Sequence, residues 1–109
     1  MEAIDFFAEV QKLVETHTAG TNQLLVGDSF TVDVRVANGV HKPREHTCSQ
    51  DEFTYVLSGE VDMKVEERIT RLTAGQGLLV KAGVRHNTLP QPGASWLLIA
   101  KPHKHHYFE

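Results

Sequence analysis

The chain has 109 residues, 40% of them hydrophobic and 23% charged, with a formal charge of −3. That suffices for one packed domain and leaves no room for a second of ordinary size. Lys and Arg do not cluster, which argues against nucleic acid as a partner, and no apolar run approaches the length of a bilayer crossing, which argues against a membrane.

Cys48 is the single cysteine, so no disulfide forms within the chain, as suits a reducing compartment. The opening MEAIDFF is acidic and has no basic region or cleavage site of a secretory signal. A cytoplasmic location is the expectation. Seven histidines are many for so short a chain.

Residues 2–17 are expected to be helical. Ile4, Phe7, Ala8, Leu13 and Val14 recur near helical spacing, with Asp5, Glu9, Lys12 and Glu15 between them. The helix should stop near Thr18–Ala19–Gly20, where glycine can take the left-handed cap conformation. Phe6, Phe7 and Leu13 are its expected contacts with the body of the protein or with a second chain.

The rest reads as β. In FTVDVRVA, Phe30, Val32, Val34 and Val36 share one face and Thr31, Asp33 and Arg35 the other. Asn38–Gly39 signals a turn. Phe53–Leu57 is aromatic and β-branched and turns at Ser58–Gly59. Val61, Met63 and Val65 alternate with Asp62, Lys64 and Glu66, and Glu66–Glu67–Arg68 reads as a polar turn. Strands are expected at Leu78–Val80, 84–89 and 95–100. Seven or more short strands with turns between them predict an all-β sandwich or barrel of the jelly-roll kind with one N-terminal helix. The expected organisation is a helix over 1–20, a barrel over 21–102 and a polar, histidine-rich tail over 103–109.

Four donors stand out. His46 and Cys48 share a face if they lie on one strand, Glu52 opens the next strand after a short connection, and His86 shares a face with Val84 and Thr88. Imidazole, thiolate and carboxylate together suit a divalent transition metal such as zinc, iron or nickel. The simpler alternatives are a buried core thiol at Cys48, a solvated Glu52 and a core histidine at His86; a nucleophilic Cys48 activated by His46 ranks last. His41 reads as a surface residue, and His103, His105 and His106 as a solvated tail, partly strand-paired. Arg35, Tyr55, Arg85 and Trp96 are candidate pocket residues, since alternation does not say which face is inside.

In His46-Thr47-Cys48, three residues, Glu52, six residues and Gly59, the chain resembles the first motif of the cupins, a superfamily of small jelly-roll barrels. Gly75, five residues, Lys81-Ala82-Gly83 and Val84-Arg85-His86 resemble the second. The two motifs span about residues 39–90. Cys48 stands where a second histidine belongs, Gly39 lies one residue too far upstream, Lys81 replaces a proline and Pro90 an asparagine. The resemblance implies that His46, Glu52 and His86 are metal ligands, with Cys48 in the fourth ligand position. It further implies either a metal-dependent oxygenase, isomerase or lyase acting on a small polar acid or carbonyl compound, or a non-catalytic module that binds or senses a small ligand, with or without metal. A homodimer is expected, because strand edges and the apolar helix face need cover.

Overall fold

The computed structural model describes residues 3–15, 20–27, 29–37, 44–102 and 105–108. The expected turn at Asn38–Gly39, the helix end at Thr18–Ala19, His41 and His103 lie outside them.

The helix α1 spans Phe6–Glu15, shorter than the 2–17 expected. Asp5 sets its start, accepting the Ala8 N–H at 3.1 Å through its side chain and the Glu9 N–H at 3.1 Å through its carbonyl. A short acceptor side chain that satisfies an orphan amide is an N-cap, so residues before it stay outside the helix. The buried stripe also differs from the expectation. Phe6, Val10 and Leu13, at i, i+4 and i+7, pack against Val32, Val34, Leu57 and Leu97, whereas Phe7 and Val14 point to solvent. Each half-buried apolar side chain of this stripe contributes on the order of 1 kcal/mol.

The strands are β1 (Gly20–Val26), β2 (Thr31–Val36), β3 (His46–Cys48), β4 (Glu52–Ser58), β5 (Glu60–Val65), β6 (Arg68–Thr73), β7 (Gly77–Val80), β8 (His86–Pro90), β9 (Ser95–Ala100) and β10 (His105–Tyr107). They form two antiparallel sheets of order β1-β2-β9-β4-β7 and β10-β3-β8-β5-β6. Arg68 belongs to β6, so the polar turn narrows to Glu66–Glu67, with Glu66 at positive φ. β10 places part of the histidine-rich tail in a sheet, paired with β3.

Between the sheets lies a core of Val56, Val61, Met63, Leu72, Val80, Ala94 and Trp96. It fills the space between the sheets with apolar side chains and abuts the donors, since Val80 lies opposite Glu52. The turn at Gly59 abuts it: φ is +73°, and a Cβ there would come within 2.9 Å of the Ala94 Cα. Glycine is therefore required on both counts, and this is the closing glycine of the first motif.

Candidate metal centre

Register places the donors. Across β3 and β8, His46 is directly opposite His86. Across β8 and β5, His86 is opposite Val65. One row of side chains thus crosses the second sheet and carries both imidazoles inward, their ring centroids 4.2 Å apart. Cys48, two residues on from His46, points the same way and is buried. Glu52 arrives from the other sheet, at the start of β4, opposite Val80 on one side and Ala100 on the other.

One ligand atom from each of His46, Cys48, Glu52 and His86 lies within 4.8 Å of every other. The four residues expected from sequence are therefore brought to one point between the sheets. His86 and Glu52 side chains are almost wholly buried, while His46 keeps 13% exposure. Solvent meets the cluster on the His46 side.

The imidazole tautomers follow from their partners. His46 Nδ1 donates to the Arg44 carbonyl at 3.0 Å, and His86 Nδ1 donates to the Val84 carbonyl at 3.0 Å. A carbonyl only accepts, so both protons sit on Nδ1 in the neutral rings. Both Nε2 atoms then turn to Glu52 Oε1, His86 at 2.9 Å and His46 at 3.7 Å. A lone pair facing a carboxylate oxygen at 2.9 Å is repulsive unless a cation sits between them. A proton on His86 satisfies that requirement, and so does a metal ion.

Electrostatics agree with this reading. Burial works against ionisation of Glu52, yet His46, His86 and the Cys48 thiol beside it outweigh burial and hold the carboxyl far below its usual range. Burial likewise works against charge on His86, but the Glu52 and Val84 hydrogen bonds raise its pKa. Burial, with the thiol's hydrogen bond to Glu52 and that carboxylate's charge, pushes Cys48 far up. Burial and the neighbouring carboxylate thus favour the Cys48 thiol over a thiolate primed by His46 in the metal-free cluster.

Further residues hold the geometry without touching it. Asp51 Oδ1 accepts the Ala82 N–H at 2.8 Å, and Asp51 Oδ2 pairs with Lys81 Nζ at 3.4 Å. Gly83, at φ +79°, donates its N–H to the Cys48 carbonyl at 2.9 Å. These bonds tie the loop before His86 to the turn before Glu52. Lys81, which replaces the motif proline, thereby takes up a role a proline lacks. Tyr107 lies opposite His46 on β10, with ring centroids 5.3 Å apart. Lys81, Ala82 and Gly83 are marked by the second motif, whereas Asp51 and Tyr107 are not, because each acts through a pairing between distant segments.

Of the candidate pocket residues, Trp96 packs in the inter-sheet core and Arg35 lies opposite it on the same face of the sheet. Tyr55 instead packs outward under the helix. Arg85 is at the surface, paired with Glu45 and lying over the Phe108 ring. A cavity of about 270 Å³, lined by Val65, Arg68, Thr70, Leu78 and Leu79, opens at edge strands β6 and β7 and includes none of the four donors.

The Cupin domain family matches residues 32–100. Solved structures of the same fold include a cupin-2 domain containing protein from Shewanella frigidimarina, at 17% identity and a TM-score of 0.73 over 92% of this chain and 95% of that one. An uncharacterised conserved protein with a double-stranded β-helix domain from Klebsiella pneumoniae is similar at 19% identity and a TM-score of 0.74, covering 100% and 98%. A point mutant of salicylate 1,2-dioxygenase from Pseudoaminobacter salicylatoxidans is similar at 16% identity and a TM-score of 0.75, over 95% of this chain and 37% of that one. No curated protein matches the chain.

Proposed function

This chain belongs to the cupin family, and from that premise we propose that it holds one divalent transition metal through His46, Cys48, Glu52 and His86 and binds a small organic acid or carbonyl compound beside it. The observation that carries the reading is the pair of imidazole Nε2 atoms converging on one carboxylate oxygen, each oriented by a backbone carbonyl. Such carbonyl bonds to the far nitrogen are how metal-bound histidines are held.

The donor set fits zinc or iron best. Two imidazoles, one thiolate and one carboxylate give a borderline-soft site with two negative charges, and an oxygen-preferring ion such as magnesium gains little from it. Nickel fits the same donors. When bound, the metal would supply Lewis-acid or redox chemistry to an oxygen ligand. The chain's own contribution is to exclude water with the apolar core, to present the ligands preformed and to leave an approach on the His46 side. Salicylate 1,2-dioxygenase shares this fold, which supports an oxygenase on a small acid as one form of the reaction. Isomerase and lyase chemistry suit the same donors.

The second reading is a non-catalytic module that binds or senses a small ligand. The exchange of histidine for Cys48 favours it, because a thiolate donates more charge and makes the metal a weaker Lewis acid. Metal analysis of protein purified without a histidine tag tests the site. About one metal per chain is expected for the wild type, and a large loss in His86→Ala. Substoichiometric metal unchanged in that variant would sink the four-ligand centre. Given metal, oxygen uptake and product formation over a panel of small acids separate enzyme from sensor.

No helix among the described residues is long and apolar enough to cross a membrane. We infer a homodimer, since Phe7, Val14, Ile69 and Leu79 remain exposed after the helix has packed.

A further inference from the structure

We propose that Arg35 forms an anion-binding subsite inside the barrel that takes the carboxylate of the small acid, with Asp33 poising its guanidinium. This inference rests on the metal-and-acid reading above and names the group that would orient the acid.

The sequence places the pair. In β2, Val32 and Val34 face outward under the helix, so Thr31, Asp33 and Arg35 face inward. Register agrees: Arg35 is opposite Trp96, a member of the inter-sheet core, and Asp33 is opposite Leu98. An aspartate and an arginine thus stand on a face that is otherwise mostly apolar. Taking charges out of water is costly, so their presence there calls for a partner.

Their mutual contact is a poor one. Arg35 and Asp33 approach only to 3.8 Å, too far for a hydrogen bond. At the surface of the same protein, Arg71 grips Asp62 with two bonds of 2.8 and 3.1 Å. Among the described residues, the buried Arg35 Nε has no acceptor and the buried Asp33 Oδ1 no donor. A guanidinium has five donors in a rigid fork matched to a carboxylate. Here most of that capacity is unspent, and 30% of the side chain remains exposed. The head is reachable, and it stands on the inward face that also carries Glu52: Thr31, on the same face of β2 as Arg35, lies opposite Ala100, and Ala100 lies opposite Glu52. An acid seated on Arg35 would therefore lie between the sheets, on the face from which Glu52 reaches the cluster. Asp33 balances the arginine when the subsite is empty and competes with an incoming anion.

The test uses cobalt-loaded, tag-free protein, titrated calorimetrically with lactate and mandelate and with their neutral amides. Each acid should bind at least about tenfold more tightly than its amide, as a charge-assisted bidentate contact requires. Arg35→Gln should lose that preference while its cobalt content and cobalt absorption spectrum stay as in the wild type. Arg35→Lys should recover only part, and Asp33→Asn should tighten the acids, an effect of opposite sign that a misfolded variant would not give. Equal binding of acid and amide by the wild type, an acid preference surviving in Arg35→Gln, or no binding of either acid overturns the subsite. Failure of the metal reading shows separately, as no cobalt uptake by the wild type. In that case the same titrations on metal-free protein decide Arg35 by the same criteria.

Discussion

His86 Nε2 lies 2.9 Å from Glu52 Oε1, and the two residues reach each other from opposite sheets. With the His86 Nδ1 proton committed to the Val84 carbonyl, this contact needs a cation at its centre. In the metal-free protein a proton supplies it, so metal and proton compete for one place.

That competition predicts a steep pH dependence of metal binding. To bind metal, His86, whose pKa is raised, must lose its proton, and Cys48, whose thiol burial and Glu52 push up, must lose another. Affinity should therefore rise with pH between about pH 6 and about pH 8. Calorimetry in buffers of different ionisation enthalpy should show protons released on zinc binding. Cys48→Ser should release fewer and show a shallower pH slope; an unchanged slope would remove Cys48 from the ligand set.

The metal-free fold has its own pH profile. The depressed Glu52 pKa contributes stability that is present above the ordinary value of 4.5 and lost as pH falls through the folded value. The raised His86 pKa contributes stability that is fully present below 6.5 and lost as pH rises through the folded value. In chelator, Tm should therefore fall as pH rises above about 6.5 and through the raised His86 pKa, and Glu52→Gln should flatten that fall. Zinc should restore the alkaline side by mass action. A chelated wild type whose Tm climbs as pH rises above about 6.5 would contradict the contact.

Asp51 predicts a positioning effect. It bonds the Ala82 amide and Lys81, and so holds the loop that delivers His86. Asp51→Ala should keep the fold and weaken metal binding roughly tenfold, in the range found for groups that orient ligands. Competition against a chromophoric chelator reads this out. Wild-type affinity in Asp51→Ala would make the turn merely structural.

The exposed apolar residues predict self-association. Phe7 is 63% exposed and Val14 45% exposed, on the helix flank beside its packed stripe. Sedimentation at micromolar concentration should show a dimer, and Phe7→Asp should shift it toward monomer. A wild-type monomer would refute the dimer and leave the metal centre untouched.

Much of this protein is legible from residue order alone. Period-2 alternation in β2 and β5, glycines at the turns and the spacing of His46, Cys48, Glu52 and His86 are local properties. They determine an all-β fold and the four donors, because side-chain alternation and turn chemistry act over a few residues. The helix start departs from the periodicity because Asp5, which periodicity places on the polar face, caps instead. β6 escapes the sequence pattern because RITRLT lies at a sheet edge, with Ile69 exposed and Leu72 alone fully buried, so it carries little burial signal.

Tertiary structure decided the rest. Whether Val34 or Arg35 faces inward depends on which face of the sheet the helix covers, and that is a contact between segments far apart in the chain. The register of β3 against β8 sets His46 opposite His86, and the stacking of two sheets brings Glu52 to both. The ligand types were written in the sequence. Their convergence on one carboxylate oxygen, the tautomers held by Arg44 and Val84, and the inward turn of Arg35 arise only when distant strands pair, because backbone hydrogen bonding between them fixes which side chains share a row.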